Sequence, residues 1–442
     1  MASFAEARRT ASAVPAAAAC SRALAEAVGC VLAEPVRARL DVPHAATSAM
    51  DGWALGELLS DPLTGRGDGA RWTVRPGGAE GPGTLLEPLE AGQAVGVVTG
   101  SPVPEGAVSV LRSEHALVEE GVLRAVPETS DLEAGRNIRP RGVEARRGDL
   151  ILEAGRALTA AGAAAAAVAG YDTLQVIPAP RVRLILTGGE VITSGLPGPG
   201  QVRDVFGLAL PAMLAEAGAE LEETHRIEDD QAALQRLLEQ PGEDGRPELI
   251  ITTGGTAASR ADTLRPVLER LGAEILVESV DMRPGHPALL ARLGEESGPG
   301  PHVLGLPGNP LAGFAALTVL GVPLMTALSG REAPGSFSAP VAEEVPAAGA
   351  RGRSPVRLLP ARLRQRRQPG TGAAELVPME HTHAHMMRGL AEAEVFAVVP
   401  SGGLAAGESA ECLEVLGRSP LQRSTLLQRD ILRRGSTAER RA

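Results

Sequence analysis

Between about residues 180 and 330, short runs of Val, Ile and Leu alternate with stretches whose apolar residues recur at helical spacing, the βαβ pattern of a parallel sheet. Three of the runs end abruptly at glycines. Leu249-Ile250-Ile251-Thr252-Thr253 meets Gly254-Gly255-Thr256, Arg181-Val182-Arg183-Leu184-Ile185-Leu186 meets Thr187-Gly188-Gly189-Glu190, and His302-Val303-Leu304-Gly305-Leu306 meets Pro307-Gly308-Asn309-Pro310. Uninterrupted apolar strands are buried on both faces, and ligands of open α/β sheets bind beyond the carboxyl ends of such strands. Three glycine-rich mouths predict one phosphate-sized site. The spacing further predicts helices over 205–217, closed by Gly218, and over 230–239, strands over 221–225 and 273–280, and a helix capped by Asp262. Asn309 is a favoured N-cap and Pro310 a favoured first helical residue, so a helix N-terminus should face whatever lies beyond Gly308.

The flanks read differently. A helix is expected over 16–27, stopped at Gly29, then an edge strand over 31–36 because it contains Pro35. The segment from Asp41 to Ala54 has no clean periodicity and gathers small polar residues around Asp51; it is either a functional loop or a plain Asp51-Gly52 turn. Short Val- and Gly-rich runs over 72–124 predict a small β-domain, and 137–144 packs Arg139, Arg141 and Glu144 into a loop that is either an anion clamp or a solvated charge run. A helix over 159–170 and a strand over 174–177 follow, and a second β-rich segment spans 334–416. His381, His383 and His385 would share one face of a strand and make a zinc set, although a solvated edge strand is the preferred reading. The fold class expected is multidomain α/β: a central doubly wound α/β domain (179–332), two smaller β-rich domains (36–144 and 333–417), a helical and extended linking domain (1–35 with 145–178), and a tail (418–442).

Length and charge narrow the function. At 442 residues, the chain corresponds to roughly three domains. Its net charge of −11, a pI near 5.4 and 2% aromatic residues argue against nucleic acid and anionic membrane as partners. No lysine occurs anywhere, so a Lys nucleophile is excluded. Cys20, Cys30 and Cys412 match neither a disulfide framework nor a zinc pattern and are expected to be buried thiols. Residues 1–10 carry Glu6, Arg8 and Arg9 without the core of a signal peptide, and the longest apolar run is read at 160–169, too short to span a bilayer; the expected location is the cytoplasm.

Five stretches together resemble the molybdopterin molybdenumtransferase family, which includes MoeA and the gephyrin E domain. Ser48-Ala49-Met50-Asp51-Gly52-Trp53-Ala54 is similar to its S-A-M-D-G-[YWF]-A signature, and Thr99-Gly100-Ser101-Pro102-Val103-Pro104-Glu105-Gly106 to its T-G-[AS]-x-[VL]-P motif. Asn137-Ile138-Arg139-Pro140-Arg141-Gly142-Val143-Glu144 resembles its N-[IV]-R loop, and Thr253-Gly254-Gly255 and Gly305-Leu306-Pro307-Gly308-Asn309-Pro310 its two phosphate-side loops. The resemblance runs from about residue 20 to about 416. It implies a homodimer of four-domain subunits that converts adenylylated molybdopterin and molybdate, with Mg2+, into molybdenum cofactor and AMP. Molybdopterin adenylyltransferase and molybdoenzyme apoproteins are the implied protein partners. Asp51, Glu190 and Asp262 are the implied catalytic residues, with Asp51, Glu190 and one of Asp229 or Asp230 at the metal. The implied substrate contacts are Thr99, Gly100, Arg139, Glu144, Thr187, Gly188, Asp204, Thr253, Gly254, Gly255, Arg283, His286, Pro287, Pro307, Gly308, Asn309 and Arg353.

Several positions depart from the family pattern. T-G-D-E reads Thr187-Gly188-Gly189-Glu190, D-[ST]-N reads Asp204-Val205-Phe206, G-x-x-D reads Ser259-Arg260-Ala261-Asp262, and K-P-G-K-P reads Arg283-Pro284-Gly285-His286-Pro287. The pocket Ser of the last domain aligns with Ala384. Composition accounts for Lys to Arg; it does not account for the loss of an acid at Gly189. Two readings follow, a molybdenum insertase and a catalytically impaired paralogue that binds molybdopterin or serves as a scaffold. A nucleotide pyrophosphohydrolase is a distant third.

Overall fold

The computed structural model describes residues 1–58, 70–78, 87–242, 245–256, 263–295, 298–332, 335–347, 356–365 and 374–417. Asp262, Arg353 and the tail lie outside the described residues. The chain divides into two compact units, Ser21–Val28 with Leu32–Val176, and Met1–Cys20 with Gly29–Val31 and the chain from Ile177 onward.

The first of these is β-rich. Its six-stranded sheet comprises β1 (Gly52–Gly56), β2 (Arg71–Val74), β3 (Gln93–Val97), β4 (Ala107–Arg112), β5 (Ala116–Glu119) and β6 (Val122–Ala125), in the order β5-β6-β2-β3-β1-β4. Side chains alternate between two cores, Ala54, Val95, Val97 and Val110 on one face and Leu55, Trp72, Ala94, Leu111 and Leu123 on the other. Strands with a period of two and both faces covered give that division. Gly52 opens β1 between β3 and β4, where a Cβ would overlap the Leu111 carbonyl. Beside the sheet, Thr47–Ser48 pairs antiparallel with Ile138–Arg139, and a helix at Ala160–Val168 begins with the Thr159 hydroxyl accepting from the Gly162 amide.

The other unit is built on a second six-stranded sheet, β7 (Arg181–Thr187), β8 (Glu220–Ile227), β9 (Leu249–Thr253), β10 (Glu274–Val277), β11 (Leu289–Glu295) and β12 (Gly298–Leu306), ordered β8-β7-β9-β12-β11-β10. β8, β7, β9 and β12 are parallel, and β11 and β10 extend the sheet antiparallel. Helices α1 (Phe4–Ser12), α2 (Phe206–Ala217) and the long α5 (Pro310–Leu328) cover one face, while α3 (Gln231–Glu239) and α4 (Leu264–Arg270) cover the other. Val182, Leu184 and Leu186 point to the first face and Ile185 to the second, which is the doubly wound arrangement expected. Arg183 is fully buried on β7, where its guanidinium bonds Glu223 at 2.8 Å and the Leu237 and Gln240 carbonyls at the end of α3. A five-stranded antiparallel sheet, β13 (Phe337–Pro340), β14 (Val356–Gln365), β15 (Ala374–Pro378), β16 (Val395–Pro400) and β17 (Ser409–Glu414), encloses a small core around Leu376, Val395, Val399 and Cys412.

Several expectations are corrected. The first helix lies at Phe4–Ser12 instead of 16–27. Ser3 and Glu6 form a reciprocal capping box there, and Phe4, Ala7 and Ala11 bury against the main core, whereas Cys20–Ala23 is extended and only Leu24–Ala27 turns. Cap and core contacts outweigh the alanine propensity of 16–27. The strand over 31–36 is two pieces, Val31–Leu32 and Val36–Arg37, separated at Glu34-Pro35; that over 273–280 is likewise split into β10 and Val280–Asp281, the latter paired with Ala2–Ser3. Among the described residues the longest apolar helix is α5, a core helix whose apolar window is 94% buried, not the run at 160–169. Cys412 is buried, but Cys20 and Cys30 are half-buried. His381, His383 and His385 lie in a loop after β15, with His381 at φ +58° and the other two rings stacked at 6.2 Å, so no strand presents them on one face.

Candidate functional site

In the α/β unit the chain runs from β7 out to the edge strand β8 and then crosses back to β9, so the strand order reverses between β7 and β9. A crevice forms outside the carboxyl ends of the strands at such a switch point. Here it is a cleft of about 970 Å³. Thr187, Gly188 and Glu190 enter it from β7, Thr253, Gly254 and Gly255 from β9, and Pro307, Gly308 and Asn309 from β12, with Asp204, Asp229 and Pro287 completing the predicted set.

The cradle is made of backbone. Gly254 and Gly255 take φ of +81° and +64°, a region that favours glycine. Gly308 lies so close that a Cβ on it would reach the Gly254 Cα at 3.4 Å. The Gly254 amide donates to the Leu306 carbonyl at 2.9 Å, which ties the two loops together. The amides of Gly255, Thr256, Gly308 and Asn309 have no acceptor among the described residues. Asn309 stands at the start of α5 with Pro310 at the first helical position, but its side chain makes no cap hydrogen bond, so its carboxamide is left for a ligand. Converging backbone donors at a helix start bind anions.

The polar side chains here sort into two groups. Glu190 and Asp229 line the cleft, while Asp230 is not among its lining residues and accepts from the Ala232 amide at 2.8 Å as the cap of α3. Asp204 accepts from the Gly207 amide at 2.9 Å and pairs with Arg226. Where the family has a polar residue, Phe206 begins α2 and is buried against Phe314 with ring centroids 5.3 Å apart, an apolar substitute for a ligand. Arg203, Arg226 and Glu228 also line the cleft and were missed by sequence reasoning, and so does His385, which the sequence assigned to a solvated edge strand. Arg226 sits in register with Leu186, one residue before the end of β7, so the strand period was the available signal. Arg283 and His286 do not line the cleft. The Arg283 backbone bridges to Arg357, and His286 Nδ1 lies 2.9 Å from the Val280 carbonyl.

In the β-rich unit, three of the motifs converge. The Asp51 carboxylate accepts from the Thr99 amide at 2.6 Å and its hydroxyl at 2.8 Å. Those bonds, the backbone one foremost, hold its pKa below the usual carboxylate range. The Gly100 amide donates to the Ser48 carbonyl, and the Ala49 amide to that of Asn137. Arg139 and Glu144 are exposed on the neighbouring loop. Asp51 is therefore not a plain turn residue, since its side chain is held by a second motif. A buried Asp131 braces the same region, with Arg112 Nε at 3.0 Å and His115 Nδ1 at 2.8 Å. Burial alone would raise its pKa, but the Arg112 side-chain and backbone donors, with Asn137 and His115, hold it far below the usual range.

Among the described residues no three His, Cys, Asp or Glu side chains are grouped to hold a metal ion. Magnesium needs fewer, since it takes one or two carboxylates together with waters and substrate phosphates. Glu190 and Asp229 fit that requirement.

Residues 2–170 match the family described as MoeA N-terminal region (domain I and II), and residues 183–327 that described as probable molybdopterin binding domain. Molybdopterin molybdenumtransferase 1 of Mycobacterium tuberculosis is 30% identical over 401 residues, covering 86% of this chain and 90% of that protein. The molybdopterin molybdenumtransferase of Synechococcus elongatus is 32% identical over 294 residues, 64% of this chain and 68% of the relative. The crystal structure of the molybdopterin biosynthesis moea protein from Pyrococcus horikosii superposes with a TM-score of 0.68 at 22% identity, over 95% of this chain and 100% of that one. These relatives do not favour the impaired-paralogue reading. With 30% identity sustained along nine-tenths of the mycobacterial enzyme, the chain belongs to the molybdopterin molybdenumtransferase family and has a role in molybdenum cofactor biosynthesis.

Proposed function

We propose that the chain inserts molybdate into adenylylated molybdopterin with release of AMP. The observation that carries this reading is the cradle of Gly255, Thr256, Gly308 and Asn309 amides at the switch point, which matches the diphosphate oxygens of that substrate. Asn309 orients the ligand, and Glu190 and Asp229 would hold a magnesium ion. Magnesium neutralises phosphate charge when bound. Cleavage of a phosphoanhydride then rests on positioning and on fixed donors that need no reorganisation. Asp51, kept ionised by Thr99, takes a proton from the attacking water. We further infer a cytoplasmic homodimer, its oligomeric state testable by sedimentation.

Gly189 permits a direct test. A Cβ there meets only Glu228 Cγ at 3.8 Å, so the position has room for a Cβ. Single-turnover AMP release is to be measured with and without molybdate, at elevated magnesium, for the wild type, Gly189→Asp and Glu190→Ala. Slow molybdate-dependent release, faster in Gly189→Asp, is expected. Release from neither above the Glu190→Ala level ends the insertase reading.

A further inference from the structure

Four carboxylates, Glu190, Asp204, Glu228 and Asp229, line the cleft against the guanidinium groups of Arg203 and Arg226 and the His385 ring. An anionic ligand entering such a site needs a fixed cation. Arg203 is exposed and donates to the Gly195 carbonyl at 3.0 Å, within the loop that links the parallel pair Val191–Ile192 and Val202–Arg203. Arg226 is placed differently. It stands near the end of β8 beside β7, and Asp204, only 8% exposed, holds one of its terminal nitrogens. Asp204 is itself fixed by the Gly207 amide. A Cβ on Gly207 would overlap both partners, so the pair requires glycine there. The Arg226 side chain is 42% exposed, and its other nitrogens have no partner among the described residues.

We infer that Arg226 is an anion-binding side chain of the cleft, positioned by Asp204, and that it takes the diphosphate of the ligand. This rests on the proposed function for the identity of that ligand. Asp204 thereby becomes a positioning residue in place of the direct substrate contact the family resemblance implies. An arginine fork with donors left over suits two oxygens of one phosphate or one from each of two. In a chain without lysine, it supplies the charge that a point cation would otherwise bring.

The test compares the wild type, Arg226→Gln and Arg226→Lys. Gln keeps a donor for Asp204, and thermal unfolding checks that each variant folds. Calorimetric affinity is measured for adenylylated molybdopterin, inorganic pyrophosphate and uncharged adenosine, at low and high salt. Arg226→Gln should weaken the two anionic ligands at least about tenfold and flatten their salt dependence, leave adenosine unchanged, and be partly rescued by Lys. A purely structural role would leave the salt dependence intact. If the wild type binds adenylylated molybdopterin and Arg226→Gln binds it equally well, the inference is overturned and the proposed function stands. If the wild type binds only pyrophosphate, in an Arg226-dependent way, the anion site stands and the proposed function falls. If the wild type binds neither anion, the Arg226 site is rejected.

Discussion

In the α/β unit the cradle is made of backbone amides, whereas in the β-rich unit the central polar group is a side-chain carboxylate held by the amide and hydroxyl of a second motif. The Gly255, Thr256, Gly308 and Asn309 amides keep their direction because strands β9 and β12 and helix α5 fix the chain on either side. Asp51 keeps its direction because Thr99 donates to it twice, and the loop beneath it is braced through Asn137 and the buried Asp131. A site of the first kind tolerates changes of side chain and is vulnerable at its glycines. One of the second kind is vulnerable at each polar group. The departures from the family pattern follow that division: the Asp51 signature is intact, while Gly189, Val205 and Phe206 have changed around a cradle whose glycines remain.

The largest effect that tests this contrast is expected at Asp51. Replacing Asp51 by Ala should lower single-turnover AMP release on the order of a thousandfold, the range for loss of a positioned acid or base, with little change in melting temperature because the side chain is exposed. A fall of less than about tenfold would remove Asp51 from the chemistry. Next comes Asp131→Ala, which removes the buried acceptor of the Arg112 and His115 side chains and should cost about 1.5–3 kcal/mol in urea unfolding at pH 7, the range for lost hydrogen bonds to a charged group. The folded pKa of Asp131 lies below its unfolded value, so its stabilisation is present above about pH 4 and is lost as pH falls through the folded value. The difference between wild type and variant should therefore shrink in acid.

Gly308→Val tests the backbone-built side. Its Cβ would sit 3.4 Å from the Gly254 Cα, and the added methyl groups should cover the neighbouring amides. Affinity for adenylylated molybdopterin should drop about a hundredfold in calorimetry, the equivalent of about two lost charge-assisted hydrogen bonds. Unchanged affinity would remove the cradle from binding. Gly255→Val is the poorer test, because φ of +64° strains any side chain there. The smallest effect is expected at His302, buried on β12. Burial foremost, with Arg292, pushes its pKa down to about 4. The unfolded chain binds the proton more readily, so stability should fall as pH drops from about 6.5 to about 4, by an amount on the order of 2 kcal/mol. His302→Gln should flatten that part of the profile.

Much of the architecture was legible in local chemistry. Gly218 ends α2 at φ +82°, Asp230 and Thr159 cap their helices, and the three apolar runs are adjacent strands. These features depend on residues within a few positions of one another, which is why spacing alone exposed them. The same logic places Asn309 at the start of α5, and the family resemblance rests on five local motifs. Where local propensity competed with distant packing it failed: the alanines of 16–27 did not make the first helix, because Phe4, Ala7 and Ala11 had the core to pack against.

Only the tertiary structure decided which polar groups work together. Asp204 and Arg226 are remote in sequence and meet because β8 returns alongside β7; Asp131 reaches Arg112 and His115 only when the loop over 129–139 folds back on the β-sheet. It also turned Asp230 into a cap and kept Arg283 and His286 off the cleft lining. The sequence by itself determined the family, the strand ends and the glycines of the cradle, because backbone conformation is set by neighbouring residues. Side-chain partnership is set by which strands lie side by side, and strand order is a property of the whole fold.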